Sequence, residues 1–296
     1  MRKYFVFVIL SLFVSNSYAI DFSGVVNDVK IKCLGISDEL VDLKKMAGIN
    51  TVITGVGTAT ATGATVVGIV KTSVDKDLRS ILESVDNIDN STVNPSGVEI
   101  LDVYDGYITQ YDNIETAQTE LYDKSKTLGN WRTGLLGVGA ATNVAGAVVA
   151  ANNKVSEDLQ THINDCVQSV TVLQDAVGQA RIDGIDVSGA NKIISECGKW
   201  KNTDLSIINN RAKGAMISSV VGATTGVVGT ITSAVSNSDK VRQEDADKEK
   251  KLNTASNILA GGTAVASGTA TVFNATQISA VKKIAKIAED CEGVLR

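Results

Sequence analysis

The chain has 296 residues, of which 44% are hydrophobic, 21% are charged and only 4% are aromatic. This composition fits one or two globular domains and excludes a bulk disordered polymer. A single proline among 26 glycines excludes collagen-like and proline-rich chains, and it permits long uninterrupted helices. The net charge of −5 provides no basic excess for phosphate contacts, so nucleic acid is not an expected partner.

The N-terminus has the pattern of a secretory signal peptide. Arg2 and Lys3 precede an apolar run over residues 4–14, and Ser17 and Ala19 supply the small residues that cleavage requires. The run is shorter than the roughly 20 residues that cross a bilayer, so we predict a signal peptide over residues 1–19 rather than an uncleaved anchor. The mature chain is therefore expected in a periplasm or outside the cell. Association with a membrane in that compartment is an alternative that the sequence leaves open.

Four segments of the chain carry no charge, namely residues 46–70, 133–153, 214–238 and 252–281. Each is rich in small side chains and valine, and the similar runs at 55–60 and 137–142 suggest a weak internal repeat. Small residues recur at every fourth position, which on a helix gives one narrow strip where a second helix can approach closely. We therefore predict four helices, with an extended all-β solenoid as the competing fold.

The predicted helix-packing strip has members in all four segments. They are Ala47, Thr51, Gly55, Ala59, Gly63, Gly137, Ala141, Ala145, Gly214, Ser218, Gly222, Gly226, Thr230, Ala234, Ala260, Ala264 and Gly268.

Four cysteines in an exported chain are expected to form disulfides, for which three pairings exist. Cys33 and Cys166 flank the first two uncharged segments, and Cys197 and Cys291 flank the last two. If each pair of segments forms an antiparallel hairpin, its flanking cysteines return to the same end, so we predict these two pairs. A metal site is the alternative, but the sequence has no CxxC motif and only one histidine, so no metal is expected.

These elements predict an all-α fold, an elongated antiparallel bundle of two disulfide-stapled helical hairpins. The first hairpin unit would cover residues 20–166, with a long amphipathic insertion at 72–132. A helical connector would cover 167–196, and the second hairpin unit 197–296.

Residues that could carry out catalysis are scarce. The only histidine, His162, has the setting of a helix-surface residue rather than of a general base. The Gly-Val-Gly runs at 55–57 and 137–139 do not complete a dinucleotide-binding motif, and no Walker lysine follows them. We therefore predict no catalytic residue and no cofactor.

The leading functional hypothesis is an exported, non-enzymatic structural or interaction protein that binds a protein partner or a second copy of itself. The alternative is a membrane-inserting or pore-forming protein, because uncharged segments with small-residue strips are typical of membrane helices. Asparagines inside the segments count against insertion. So does the excess of Lys and Arg in the exported rather than the cytoplasmic connections. An enzyme with an unlocated carboxylate site is a third, more distant hypothesis.

Overall fold

The fold was obtained as a computed structural model, which describes residues 21–90 and 100–296. Over these residues the chain is helical and contains no strand, which confirms the predicted all-α bundle. The predicted signal peptide over 1–19 lies outside the described residues.

Eight α-helices and one 3-10 turn make up the described chain. They are α1 (Phe22–Cys33), α2 (Ile36–Asn90), α3 (Ile100–Asn152), α4 (Glu157–Ile182), α5 (Ser188–Cys197), the 3-10 helix (Gly198–Asn202), α6 (Ser206–Ser236), α7 (Asp239–Glu244) and α8 (Ala246–Leu295).

The helices divide into two compact units. Unit 1 contains residues 21–47, 153–210 and 276–296, and unit 2 contains Gly48–Asn152, apart from 91–99, together with Arg211–Ala275. Each unit takes residues from both halves of the chain, because the boundaries fall within or beside the long helices. The predicted division into units over 20–166 and 197–296 therefore does not coincide with the units that the contacts define.

Unit 1 has a conventional apolar core. Leu40, Leu173, Ile208 and Val281 are fully buried there, and residues of the predicted connector 167–196 belong to the same core rather than to a linker. Short turns separate its helices, and Gly35 and Gly184 supply the positive φ angles of 96° and 75° that these turns need.

Both predicted disulfides are present in unit 1. Cys33 is bonded to Cys166, and Cys197 is bonded to Cys291. The first bridge joins α1 to α4 and the second joins α5 to α8, so helices far apart in sequence are covalently linked. Disulfides of this kind indicate an oxidising environment.

Unit 2 is an antiparallel four-helix arrangement of α2, α3, α6 and α8. Contacts pair α3 with α6 in opposite directions: Asn143 lies against Gly222, and Ala140 lies against Gly226. On α2 and α8, Asn50 bonds Asn274 while Lys71 bonds Glu249, which again requires opposite directions.

The two predicted hairpins are antiparallel as well. On α2 and α3, Gly57 lies against Thr142 while Gly68 lies against Arg132, and on α6 and α8, Thr225 bonds Thr263 while Ser256 bonds the Gly229 carbonyl oxygen.

Candidate functional site

The outer surface of unit 2 is uncharged over four helical segments, residues 48–70, 133–152, 214–236 and 254–275. The structure describes all four segments, and none of their exposed side chains is charged. Large aliphatic side chains lie on this surface with most of their area exposed: Val52 is 67% exposed, Ile258 is 70% exposed and Val265 is 71% exposed. We call the exposed side chains of these four segments the apolar belt.

All four long helices contribute aliphatic residues to the apolar belt. These are Ile49, Val52, Val56, Val66, Ile69 and Val70 on α2; Val138, Val144 and Val148 on α3; Ile217, Val220, Val221, Val227, Val228, Ile231 and Val235 on α6; and Ile258, Val265 and Val272 on α8.

Threonines within the apolar belt do not offer free hydroxyl groups to the surroundings. Thr62 donates to the carbonyl oxygen of Thr58 at 2.8 Å, and Thr269 donates to that of Val265 at 2.9 Å. Such bonds to the preceding helical turn satisfy the hydroxyl donor locally. The surface therefore behaves as less polar than its composition suggests.

The belt has the length of a membrane crossing. At 1.5 Å per residue the segments span about 30 to 35 Å, close to the hydrocarbon thickness of a bilayer at about 30 Å. Trp131, which is 64% exposed, lies two residues before the second segment, a position typical of the membrane interface. Three described stretches, Phe22–Glu83, Asp112–Ile182 and Ser188–Ser236, contain helix that is long and apolar enough to cross a membrane.

The interior of the same four segments is small and polar. Leu136 is the one buried side chain larger than alanine among their apolar residues. Every other buried position in these segments holds Gly, Ala, Ser, Thr or Asn. Unit 2 thus has its large apolar side chains outside and its polar side chains inside, the reverse of unit 1.

Hydrogen bonds connect the helices through this interior. Asn143 on α3 donates to the Ser267 hydroxyl on α8 at 2.7 Å, and it occupies the space left by the missing side chain of Gly222. Further along, the Asn50 amide donates to the Asn274 carbonyl oxygen at 2.9 Å. In an apolar surrounding such bonds hold helices together, since each polar group otherwise lacks a partner.

Buried charges lie at the end of unit 2 where α2 approaches the start of α8. The Lys71 ammonium is fully buried and contacts the carboxylates of Asp75 at 2.7 Å and Glu249 at 3.1 Å. Asp75 also accepts from Ser125 and from Asn253. Each of these charges therefore has an opposite partner, and Asp75 also has two neutral donors, as a buried ion cluster requires.

Arg132 extends this buried polar cluster towards the apolar belt. Its guanidinium group is fully buried and donates to Ser233 at 2.9 Å, to Ser236 at 3.1 Å and to Asn253 at 2.8 Å. The side chain thereby joins α3 to α6 and α8 through groups that are all neutral.

The structure places the predicted helix-packing strip only partly between helices. Ala47, Gly222, Gly226 and Ala260 are buried. Ala59, Ala141, Ala145 and Ala234 are exposed on the outside, and the remaining strip residues are half-buried. A four-residue step turns about 40° further than one helical turn, so a strict line of this spacing winds out of the interface.

The buried rows instead alternate steps of three and four residues, which keeps one face towards the partner helices. They are Asn50, Thr54, Gly57, Ala61, Ala64 and Gly68 on α2; Leu136, Gly139, Asn143, Gly146 and Ala150 on α3; Ala215, Ser219, Gly222, Gly226, Gly229 and Ser233 on α6; and Asn253, Ser256, Ala260, Thr263, Ser267, Ala270 and Asn274 on α8.

Sequence reasoning missed the polar members of these rows. Asn50, Asn143 and Asn274 were weighed only as residues that reduce hydropathy, whereas the structure buries all three. Their spacing on the alternating three and four pattern, together with serines and glycines, is the signal that identifies them as core residues.

The remaining candidates lie in unit 1. The sulfur atoms of Cys33, Cys166 and Cys291 lie within 4.8 Å of one another, yet all three belong to disulfides and provide no thiolate for a metal. His162 Nδ1 lies 2.9 Å from Glu39 Oε1, a pair on the partly exposed faces of α4 and α2.

Comparison of the chain with protein-family models, with curated proteins and with solved structures found no match.

Proposed function

We propose that this chain is an exported, non-enzymatic membrane protein whose unit 2 is embedded in lipid and whose unit 1 lies in an oxidising aqueous compartment. One observation carries the proposal, namely the apolar belt that all four long helices of unit 2 present around a polar, hydrogen-bonded interior. In water this arrangement would leave large aliphatic side chains solvated, well beyond the apolar patch of an ordinary soluble monomer.

Lipid explains both sides of the pattern at once. Hydrocarbon chains accept the valine and isoleucine side chains of the belt without cost. Inside the unit, small residues let helix backbones approach closely, and Asn, Ser and Thr pair with one another. A protein partner would have to cover all four helices to give the same shielding, so the belt favours lipid over a single docked protein.

The chain topology is consistent with export. If the four segments cross a membrane in alternating directions, residues 20–47, 153–210 and 276–296 lie on one side. These residues carry all four cysteines, and their disulfides need an oxidising compartment. The predicted signal peptide would direct them there. Their excess of Lys and Arg opposes the usual cytoplasmic bias, which favours insertion after export over insertion during synthesis.

Self-association of the embedded unit is the second candidate. On α3 the small residues Gly134, Ala141 and Ala145 are exposed within the apolar belt. Small residues on a lipid-facing helix allow the backbone of another helix to come close. A second copy of the chain is the partner that this surface favours, and cross-linking in vesicles at increasing dilution tests it.

Quenching of tryptophan fluorescence by brominated lipids tests the proposal. The chain has two tryptophans, Trp131 beside the apolar belt and Trp200 buried in the core of unit 1. In vesicles of brominated lipid we expect strong quenching of the wild type. In Trp131→Phe, where only Trp200 emits, we expect little quenching. Equal quenching of both proteins, or of neither, would contradict the proposal.

A further inference from the structure

The polar interior of unit 2 is interrupted by a single apolar layer. Ala64 on α2, Leu136 on α3 and Ala260 on α8 are each fully buried and in mutual contact. Gly229 on α6 completes the layer, since a Cβ there would lie 3.5 Å from the Cδ1 atom of Leu136. We call these four residues the Leu136 layer. Each helix contributes one of them, and none has a polar side chain.

On one side of the Leu136 layer, hydroxyl and amide groups run along the helices. Thr225 and Thr263 bond each other at 3.0 Å, and Ser267 donates to the Thr263 carbonyl oxygen at 2.8 Å. Ser267 also bonds Asn143. These contacts form a file of polar groups that begins at the Leu136 layer.

The same file continues from Ser267 through Thr271, Thr54 and Asn274 to Asn50. Near this end lie two buried oxygens that have no partner. Asn50 Oδ1 and Ser219 Oγ are fully buried and accept or donate no hydrogen bond. Both face Gly146, because a Cβ on this glycine would lie 3.4 Å from the Asn50 oxygen and 3.3 Å from the Ser219 oxygen. A water molecule beside Gly146 would donate to Asn50 and accept from Ser219, which satisfies both.

On the other side of the Leu136 layer lies the buried ion cluster. Arg132 stands one helical turn from Leu136 and bonds Asn253, which bonds Asp75. Asp75 in turn contacts the Lys71 ammonium. This side therefore contains ionisable groups linked by hydrogen bonds, the kind of arrangement that marks proton relays in membrane proteins.

We propose that the Leu136 layer is a hydrophobic gate on a proton pathway through unit 2. The proposal rests on the membrane embedding proposed above. One polar file and one ionisable cluster approach the gate from opposite sides, and the layer of Leu136, Ala64, Ala260 and Gly229 separates them by apolar side chains. Close packing leaves no room for larger ions, whereas protons move along hydrogen bonds and single water molecules. The structure corresponds to the closed state.

Proton flux into vesicles tests the gate. The full mature chain is reconstituted with a pH-sensitive dye inside, and the decay of an imposed pH gradient is recorded. Leu136→Asn places a polar side chain in the layer, and we expect proton flux at least about tenfold above that of the wild type. Ile182→Asn is the control, because it adds the same group to unit 1 at a side chain that is 79% exposed and outside the apolar belt, and it should leave the flux unchanged.

A second variant covers the case in which Leu136→Asn does not fold. The double change Ala64→Ser and Ala260→Ser adds hydroxyls to the same layer with little change in volume, and we expect a smaller but clear rise in flux. If these variants remain proton-tight while they resist extraction from the vesicles, the gate is overturned. Wild-type flux equal to that of Leu136→Asn also overturns it. If the wild-type protein itself is extracted from the vesicles, the membrane embedding is overturned instead. The extraction result therefore distinguishes failure of the gate from failure of the proposed function.

Discussion

The absence of a side chain at Gly222 determines how the centre of unit 2 is built. An added Cβ would lie 2.8 Å from the Cγ and the Oδ1 atoms of Asn143 and 2.9 Å from its Nδ2 atom. The asparagine therefore reaches Ser267 on the opposite helix only because Gly222 leaves the space open. A residue without a side chain thus positions the polar group that crosses the bundle.

Gly222→Ala should accordingly destabilise unit 2. The Asn143 side chain must move and lose its bond to Ser267, so we expect a loss of about 1 to 3 kcal/mol in unfolding free energy. The midpoint of thermal unfolding in detergent micelles, followed by circular dichroism, measures the effect.

Gly55→Ala is the matched control for this change. No atom lies within 4 Å of a Cβ at Gly55, so alanine should be neutral or should stabilise its helix by up to about 1 kcal/mol. If both variants change the midpoint alike, helix propensity rather than close packing determines the stability, and the account of the polar core is wrong.

At the scale of elements, the long helices follow two different patterns in the two units. In unit 1, α8 buries large apolar residues such as Val281, Ile284 and Leu295. In unit 2 the same helix buries Ser256, Thr263 and Ser267 at the same alternating steps. One continuous helix thus carries a polar core face up to Asn274 in unit 2 and an apolar core face from Val281 onwards in unit 1.

The disulfides fix the helices of unit 1 to one another. Replacing Cys33 and Cys166 by serine removes the covalent link between α1 and α4. This disulfide joins two residues that are 133 positions apart in the sequence. In the chain-entropy model we expect a loss of about 4 to 5 kcal/mol, since a loop of this length is costly to close. Denaturant unfolding of the core of unit 1, followed by Trp200 fluorescence in Trp131→Phe protein, measures it; an unchanged midpoint would contradict the expectation.

Sequence reasoning reached the helices and the cysteine pairs, but only part of the core. Charge-free segments and cysteine order depend on composition and chain order alone, so both were accessible. The core face was not, because strict four-residue spacing and alternating three- and four-residue spacing differ by only a small rotation at each step. Gly222 and Gly226 fit both patterns and could be predicted as core residues from the sequence. Asn50 and Asn143 fit only the alternating pattern, and the packing of the helices in the structure identifies them as core residues.

At the scale of the whole molecule, the proposed embedding places one chain in two solvents, water for unit 1 and lipid for unit 2. A charge should therefore be tolerated on one exposed surface and not on the other. Val228→Lys places an ammonium group in the middle of the third belt segment, where lipid exposure costs about 2.5 to 3.5 kcal/mol.

Ile182→Lys makes the same kind of change on unit 1, at a side chain that is 79% exposed. We expect Val228→Lys to reduce the vesicle-bound fraction of the protein and Ile182→Lys to leave it unchanged, as measured by co-sedimentation with lipid vesicles. Equal binding by both variants would show that the apolar belt does not contact lipid.

The most direct measurement is flotation of the mature chain, residues 20–296, with lipid vesicles after an alkaline carbonate wash. Such a wash removes proteins that bind the surface and leaves embedded helices in place. We predict that the chain floats with the lipid, because the proposal embeds its four charge-free segments in the hydrocarbon region. Recovery as a monodisperse helical protein in the washed buffer would contradict the account, since the apolar belt would then be stable in water.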